Sequence, residues 1–214
     1  MSTSSRISLE RAKNLQLSLS KRIIRRNCLS ERVSRIAGVD VAYHGELSVG
    51  AAVVHDYSSM SLLETKISHH ITRYPYKPTF LSFREIPPAI KAINKLRLKP
   101  DILMVDGHGL AHPRRLGLAS HLGLVLDMPT VGVAKSLVCG VIEKNGDRIW
   151  NPVIHKGETV GAAVYTRLGV KPVYVSIGHK VSLETAVETV LHCSGKYRIP
   201  EPLRAAHMTA GRSN

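Results

Sequence analysis

The fold of this chain is decided by one stretch near its middle, Asp101-Ile-Leu-Met-Val-Asp106-Gly-His108-Gly-Leu-Ala-His112-Pro-Arg114-Arg115. Pro100 separates this stretch from what precedes it, and the four apolar residues after Asp101 indicate a buried central strand. Asp106 falls where that strand would reach the surface, beside glycines that let a substrate approach the backbone closely. The pattern predicts a catalytic loop and makes Asp106 a candidate metal ligand, although an aspartate that only caps a turn would have the same local sequence.

A second aspartate, Asp40, lies in the middle of the apolar run 35–43 instead of at its end. A carboxylate in that position is costly unless it is paired or bound to a metal. Two such aspartates on adjacent strands could hold a divalent cation, since Mg²⁺ prefers carboxylate oxygens and keeps water ligands for chemistry. This pairing is typical of nucleases and other phosphoryl-transfer enzymes, and a salt-bridged core aspartate is the alternative.

The composition favours a polyanionic partner. Thirty Lys and Arg against sixteen Asp and Glu give a formal net charge of +14 and a sequence pI near 10.0, which points to nucleic acid first. Charge alone does not separate proteins that bind nucleic acid from those that cut it. A membrane partner is not expected, because no apolar run approaches the roughly 18 to 20 residues of a spanning helix and no signal-peptide pattern opens the chain.

The three cysteines, Cys28, Cys139 and Cys193, lie far apart and form no C-x-x-C pair. Neither a zinc site nor a disulfide framework is therefore expected, and a reducing, cytoplasmic location fits best. The length of 214 residues favours a single domain, residues 1–214.

Hydrophobic periodicity predicts an α/β fold with a mixed five-stranded sheet, an antiparallel meander followed by parallel β-α units, and helices on both faces. Ser8 is expected to cap a first helix with Leu9, Ala12, Leu15, Leu19 and Ile23 on one face. Asn145-Gly146 is expected to turn a small hairpin, and the tail from Ala205 to Asn214 reads as frayed. Six segments are strand candidates, one more than the predicted sheet contains: 35–43, 47–55, 61–70, 101–106, 130–134 and 173–177. The later helices are predicted at 83–97, 114–126 and 182–193.

Six ordered motifs along nearly the whole chain make it resemble the endonuclease V family, the metal-dependent nucleases that act on deaminated purines. The resemblance implies a ribonuclease H-like fold. The motifs are Ile36-Ala-Gly-Val-Asp40-Val, Pro75-Tyr76-Lys77-Pro78 with Leu81-Ser-Phe-Arg84-Glu85, Val105-Asp106-Gly-His108-Gly with His112-Pro-Arg114-Arg115-Leu-Gly117, Val131-Gly-Val-Ala-Lys135, Gly178-His179, and Tyr197-Arg-Ile-Pro-Glu-Pro202.

The resemblance also implies a reaction. It is Mg²⁺-dependent hydrolysis, with Mn²⁺ as an alternative ion, of the second phosphodiester bond on the 3′ side of a hypoxanthine nucleotide, leaving 3′-hydroxyl and 5′-phosphate ends. By carry-over of matching positions, the metal ligands would be Asp40, Glu85 and Asp106. His179 would be the fourth catalytic residue, and Lys135 would neutralise phosphate charge beside the metal.

The same resemblance assigns residues that handle the damaged strand. The loop Pro75-Tyr76-Lys77-Pro78 would act as a strand-separating wedge with Tyr76 at its tip, although Lys77 departs from the isoleucine common there. Arg114 and Arg115, at a predicted helix start, are candidate phosphate contacts. The pocket for the flipped base would be formed by Thr79, Leu81, Gly107, His108 and Leu118.

Each assignment has a structural alternative. Without the family, Glu85 reads as a first-turn helix acid, and His179 as a residue beside the cap of the next helix. Two other functions also remain, the related incision domain of bacterial nucleotide-excision repair and a catalytically silent nucleic-acid-binding module. The expected partner is inosine-containing DNA, with inosine-containing RNA left open, and the protein is expected to be a monomer.

Overall fold

A computed structural model describes residues 8–30, 32–72, 74–144, 146 and 148–212. Within these residues the chain forms one nine-stranded sheet in the order β3-β2-β1-β4-β5-β9-β8-β7-β6, covered by five helices. The strands are β1 (Arg35–His44), β2 (Leu47–Asp56), β3 (Leu62–Ile71), β4 (Ile102–Asp106), β5 (Thr130–Ala134), β6 (Val141–Ile142), β7 (Trp150–His155), β8 (Glu158–Val164) and β9 (Val173–His179). The helices are α1 (Leu9–Ser20), α2 (Leu81–Ile93), α3 (Leu118–Leu126), α4 (Leu183–Ser194) and α5 (Glu201–Arg212).

The first half of the predicted sheet is confirmed. Strands β1, β2 and β3 form an antiparallel meander, β1 pairs in parallel with β4, and β4 pairs in parallel with β5. The sequence predicted this arrangement because short turns join the first three strands, whereas a helix precedes β4 and another precedes β5. These five strands carry both candidate aspartates.

The predicted count of five strands is wrong, and so is the parallel pairing of the last strand. Residues 141–164 supply three further strands, and β9 pairs antiparallel with β5. The turn between β7 and β8 is Lys156-Gly157, in which both residues have positive φ, as a two-residue hairpin turn requires. The predicted hairpin corresponds to β6 and β7, but Asn145 lies outside the described residues. Since β6, β7 and β8 intervene, β5 and β9 are not joined by the single helical crossover that parallel pairing would need.

The helices divide between the two faces of the sheet. One core cluster packs residues of β1, β4, β5 and β9 against α4 and α5, and a second packs other residues of β1, β2 and β4 against α2 and α3. None of the described helices is long and apolar enough to cross a membrane. The three cysteines are free, as expected.

The predicted first helix is present, and the Oγ of Ser8 accepts a hydrogen bond from the backbone N–H of Arg11. Its predicted apolar face is partly wrong, because Leu9 and Leu15 are exposed and a polar residue, Gln16, is buried instead. Helix α1 turns its Ala12–Gln16 side inward because Gln16 has buried hydrogen-bond partners.

The prediction of a frayed tail is wrong, because residues 201–212 form α5 on the face of β1 and β2. Ala206 and Ala210 are fully buried there. Gly38 on β1 allows this contact, since a Cβ at that position would lie 1.9 Å from the carbonyl oxygen of Pro202. Docking of α5 brings one more functional side chain to the sheet.

Candidate active site

Strand register brings Asp40 and Asp106 side by side. Val39 pairs with Val105 across the parallel ladder, so the next residue on each strand is an aspartate at the same level. Side chains alternate between the faces of a strand, and Ile36 and Met104 belong to the core beneath α4 and α5. Both aspartates therefore point toward the face on which α5 lies.

Helix α5 adds a histidine to this pair. The Nδ1 of His207 lies 2.7 Å from Oδ2 of Asp40, and the ligand atoms of Asp40, Asp106 and His207 all lie within 4.8 Å of one another. The sequence did not indicate His207, because the tail from Ala205 to Asn214 was predicted to be frayed. The 3.6-residue spacing of the buried Leu203, Ala206 and Ala210 was the available signal for a helix there.

Glu85 reaches the same cluster from α2. The Oη of Tyr43 donates a hydrogen bond of 3.2 Å to Glu85 Oε1, and the carboxyl group is buried. Burial and then the nearby charge of Asp40 raise the pKa of Glu85 to about 8, and the charge of Asp106 contributes in the same direction. The three predicted carboxylates are thus neighbours, as the sequence indicated.

Lys135 lies immediately after β5 and faces Asp106. Its Nζ is 2.8 Å from Oδ2 of Asp106, and about half of the lysine side chain is exposed. Burial and then the charge of Asp40 raise the pKa of Asp106, while the hydrogen bond from Lys135 opposes that shift. The lysine can therefore balance part of the negative charge and still meet solvent.

His179 is not brought to the carboxylates. On β5, Val133 pairs with Asp106 but Thr130, at the other end of the strand, pairs with His179. The imidazole Nδ1 accepts a hydrogen bond of 3.2 Å from the backbone N–H of Ile24. The difference from the predicted placement arises because β9 runs antiparallel to β5, which carries its carboxyl end to the opposite edge of the sheet.

A cavity of about 240 Å³ opens beside the carboxylates and is lined by all five residues that the sequence assigned to a base pocket, Thr79, Leu81, Gly107, His108 and Leu118. Tyr76 lines it too, with 66% of its surface exposed. The other three residues of the predicted wedge, Pro75, Lys77 and Pro78, are exposed on the same loop. Ser136, Leu137 and Val138 also line the cavity, and the sequence did not indicate them.

The Pro75–Pro78 loop is anchored at Thr79, the residue that follows it. The carbonyl oxygen of Thr79 accepts hydrogen bonds from Nε2 of Gln16 (2.9 Å), Nε2 of His112 (3.0 Å) and Nη2 of Arg114 (2.9 Å). Thr79 has φ +67°, which is rare for a β-branched residue and needs such support. The guanidinium of Arg114 also lies 4.3 Å from the centre of the Phe80 ring. Arg114 thus holds the loop instead of projecting toward a phosphate.

Arg115 is engaged in a similar way. Its guanidinium donates to Oε2 of Glu158 (2.8 Å), to the backbone oxygen of His112 (3.0 Å) and to the backbone oxygen of His155 (2.9 Å). Helix α3 begins only at Leu118, so neither Arg114 nor Arg115 stands at its first turn as predicted. The geometry therefore supports structural roles for both arginines and not the predicted phosphate contacts.

The donor set fits a divalent cation. The ligand atoms of two carboxylates and an imidazole lie within 4.8 Å of one another, and the pKa of a third carboxyl, Glu85, is raised first by burial and then by the charge of Asp40. Carboxylate oxygens are the preferred ligands of hard dications, and imidazole is accepted by several transition-metal ions.

An acidic cluster on the central strands β1 and β4 of a strongly basic α/β protein is typical of nucleases and other phosphoryl-transfer enzymes. The chain belongs to the endonuclease V family, whose model matches residues 17–208. Among curated relatives, the endonuclease V of Trichormus variabilis is 47% identical over 95% of this chain and 94% of its own. That of Rippkaea orientalis is 48% identical over 95% and 90%, respectively.

Solved structures agree. The endonuclease V of Streptomyces avermitilis superposes with a TM-score of 0.92 at 37% identity, covering 100% of this chain and 96% of that one. A Ciona intestinalis endonuclease V in complex with a 24mer DNA containing an inosine followed by a ribo-adenosine superposes with a TM-score of 0.84 at 34% identity, covering 93% and 94%. These endonuclease V structures share the fold of this chain, and the Ciona protein binds inosine-containing DNA.

Proposed function

We propose that this protein is a divalent-cation-dependent endonuclease that cuts nucleic acid containing hypoxanthine, built as one ribonuclease H-like nuclease domain over residues 1–214. The observation that carries the proposal is the meeting of Asp40, Asp106 and His207 within 4.8 Å beside the buried Glu85. The cut would fall at the second phosphodiester bond 3′ to the lesion and leave 3′-hydroxyl and 5′-phosphate ends. The cation would be Mg²⁺, with Mn²⁺ as a substitute.

Asp40, Asp106 and Glu85 would hold the cation, with His207 at its edge. When bound, such an ion activates water and stabilises charge on the phosphate. Lys135, held 2.8 Å from Asp106, places a fixed positive charge where the phosphate oxygens would lie. His207 takes the position that the sequence had assigned to His179. Its exposed imidazole can orient the attacking water or carry a proton.

The loop and the cavity would select the damaged base. The exposed ring of Tyr76 stands at the mouth of the 240 Å³ cavity, where it can enter the base stack as the target nucleotide leaves it. Prolines on both sides of Tyr76-Lys77 limit the conformational freedom of the tip. Hydrogen bonds to the carbonyl oxygen of Thr79 anchor the loop, so the ring of Tyr76 is held in a defined place.

The substrate would be inosine-containing DNA, with inosine-containing RNA as a further candidate. The Ciona complex supports the first directly, and its ribo-adenosine after the inosine supports tolerance of a ribonucleotide. A monomer acting in the cytoplasm is the simplest arrangement consistent with an active site formed by one chain.

The test uses matched DNA and RNA oligonucleotides that carry one inosine, end-labelled and incubated with Mg²⁺, with Mn²⁺ or with a chelator. The proposal expects a single cut near the inosine, mapped on a sequencing gel, that requires the cation and is lost when guanosine replaces inosine. Binding without cleavage under all metal conditions would instead support a catalytically silent nucleic-acid-binding module.

A further inference from the structure

A second cleft lies well away from the acidic cluster. It has a volume of about 520 Å³ and is bounded by the β6–β7 connection, the start of β7 and the loop after β8. Its charged lining residues are all basic among the part of the chain that the structure describes. Its basic side chains are Lys144, Arg148 and Arg167, and its large apolar or aromatic ones are Ile149, Tyr165 and Leu168. We call this surface the arm cleft.

Strand register places the arm cleft on the same edge of the sheet as the acidic cluster. Ala134, the residue before Lys135, pairs with Tyr174 near the start of β9. Val173 pairs with Val164 at the end of β8, and Val164 pairs with Trp150 at the start of β7. Four strand spacings separate β4 from β7, which is about 19 Å at roughly 4.8 Å per spacing.

A band of basic residues connects the two places. The Nη2 of Arg198 donates 3.2 Å to the backbone oxygen of Lys135, and the backbone oxygen of Arg198 accepts from Thr166 Oγ1 at 2.8 Å. Arg167, the residue after Thr166, donates from Nη1 to the backbone oxygen of Lys196 at 3.2 Å. The guanidinium of Arg198 is held by the backbone oxygens of Lys135, Lys171 and Pro172, so the exposed cations along this band are Lys171, Lys196 and Arg167.

The charge of this surface is net positive even when nearby acids are included. Glu143, in the β6–β7 connection, does not line the cleft, and Asp147 lies outside the described residues. They are outnumbered by six basic residues of the cleft and band, namely Lys144, Arg148, Arg167, Lys171, Lys196 and Arg198. Tyr165, Ile149 and Leu168 add apolar surface next to these cations.

We propose that the arm cleft binds the phosphodiester backbone of the substrate strand about six nucleotides from the scissile bond. The inference rests on the proposed function, because the acidic cluster defines where the strand is cut. A strand of duplex rises about 3.4 Å per nucleotide, so 19 Å corresponds to roughly six nucleotides. Lysines and arginines bind phosphates without regard to sequence, and the partly exposed ring of Tyr165 beside them can stack on a base.

The test compares Lys144→Glu/Arg148→Glu with Lys156→Glu. Lys156 is exposed in the β7–β8 turn, so it carries one positive charge at the end of β7 opposite to the arm cleft. Each variant is assayed on inosine duplexes of about thirty nucleotides and on two shortened series, which retain only about three nucleotides on the 5′ or the 3′ side of the cut.

The double variant should bind the long duplex several-fold more weakly, and the slope of log affinity against log salt should become shallower by about two. Shortening the side that reaches the arm cleft should weaken the wild type and abolish the difference between wild type and variant. Lys156→Glu should match the wild type on every substrate.

An equal loss on long and short substrates, or no loss beyond that of Lys156→Glu, would overturn the assignment of the arm cleft. The proposed function is read separately. If the wild type fails to cut any inosine substrate, the nuclease proposal fails, whereas cleavage with no length dependence overturns only the arm cleft.

Discussion

Acidic and basic side chains lie at both edges of the central sheet, but the pKa of the carboxyl groups shifts in opposite directions at the two edges. At the carboxylate edge, where β4 ends, Asp40, Asp106 and Glu85 lie close together, and burial raises the pKa of Asp106. At the opposite edge, where β9 ends, Lys180 lies 2.7 Å from Asp127 and its hydrogen bond lowers the pKa of that carboxyl. Lys135 also pairs with Asp106, but the carboxylates there outnumber that one cation, an imbalance typical of a ligand site.

The histidines make the same contrast. His207 is exposed and contacts Asp40, whereas His179 is buried, accepts the N–H of Ile24 and has its Nε2 3.5 Å from Asp127. A histidine with both ring nitrogens directed at protein partners fixes structure. One that reaches solvent beside crowded carboxylates can exchange protons with a substrate.

The largest effect is expected from Asp106→Asn. Losing a ligand carboxylate removes several kcal/mol of charge stabilisation in the transition state, so single-turnover cleavage should fall by about 10³-fold or more. Binding to inosine-containing DNA should persist, because the basic surface is unchanged. Asp127→Asn makes the same change at the opposite edge and should cut at nearly the wild-type rate. Equal losses in the two variants would contradict the difference between the edges.

His207→Ala should have the next largest effect, a loss of about 10²-fold in the chemical step, as expected for a group that positions or carries a proton. Single-turnover kinetics with saturating enzyme separate this step from binding. Helix α5 is anchored by other residues, among them Ala206 and Ala210, so the melting temperature should change little. An unchanged rate would remove His207 from the site.

A smaller effect is expected from Tyr76→Ala, which removes the exposed ring on the loop beside the carboxylate edge. Extruding a base costs a few kcal/mol that an inserted ring helps to offset, so duplex substrate should suffer more than single strand. The ratio of kcat/KM on duplex to that on single strand should fall by about 10-fold, which corresponds to roughly 1.4 kcal/mol. Tyr76→Phe keeps the ring and should retain the ratio. An equal loss on both substrates would make Tyr76 a pocket residue.

The smallest effect on cleavage is expected from His179→Ala, which should leave the single-turnover rate within a few-fold of the wild type. Its cost should be structural, about 1 kcal/mol of unfolding free energy, because the partly buried N–H of Ile24 loses its acceptor. Chemical denaturation measures that loss. A rate drop as large as that of His207→Ala, without destabilisation, would restore the role predicted from the sequence.

Much of the site could be read from the sequence because its residues lie where the pattern is local. Asp106 ends a short apolar strand, Asp40 interrupts another, and the Pro-Tyr-Lys-Pro loop is distinctive in itself. The five pocket residues were predicted from the family resemblance and not from a local pattern, and all five line one cavity.

The failures came from long-range pairing. The helix signal at 201–212 is weak, because few residues mark its buried face, among them Leu203, Ala206 and Ala210, so His207 was missed. Arg114 and Arg115 looked free to meet phosphate because their acceptors, on Gln16, Thr79 and Glu158, are distant in the chain.

The sequence by itself determined the family, the meander that leads into parallel strands, and the carboxylates that meet at one edge, since strand periodicity and motif spacing are local properties of the chain. Tertiary structure alone decided which histidine joins those carboxylates. Antiparallel pairing of β9 sends His179 to the far edge, and docking of α5 against Gly38 delivers His207 to the near one. Strand direction and helix docking depend on contacts between residues far apart in sequence, and no local pattern encodes them.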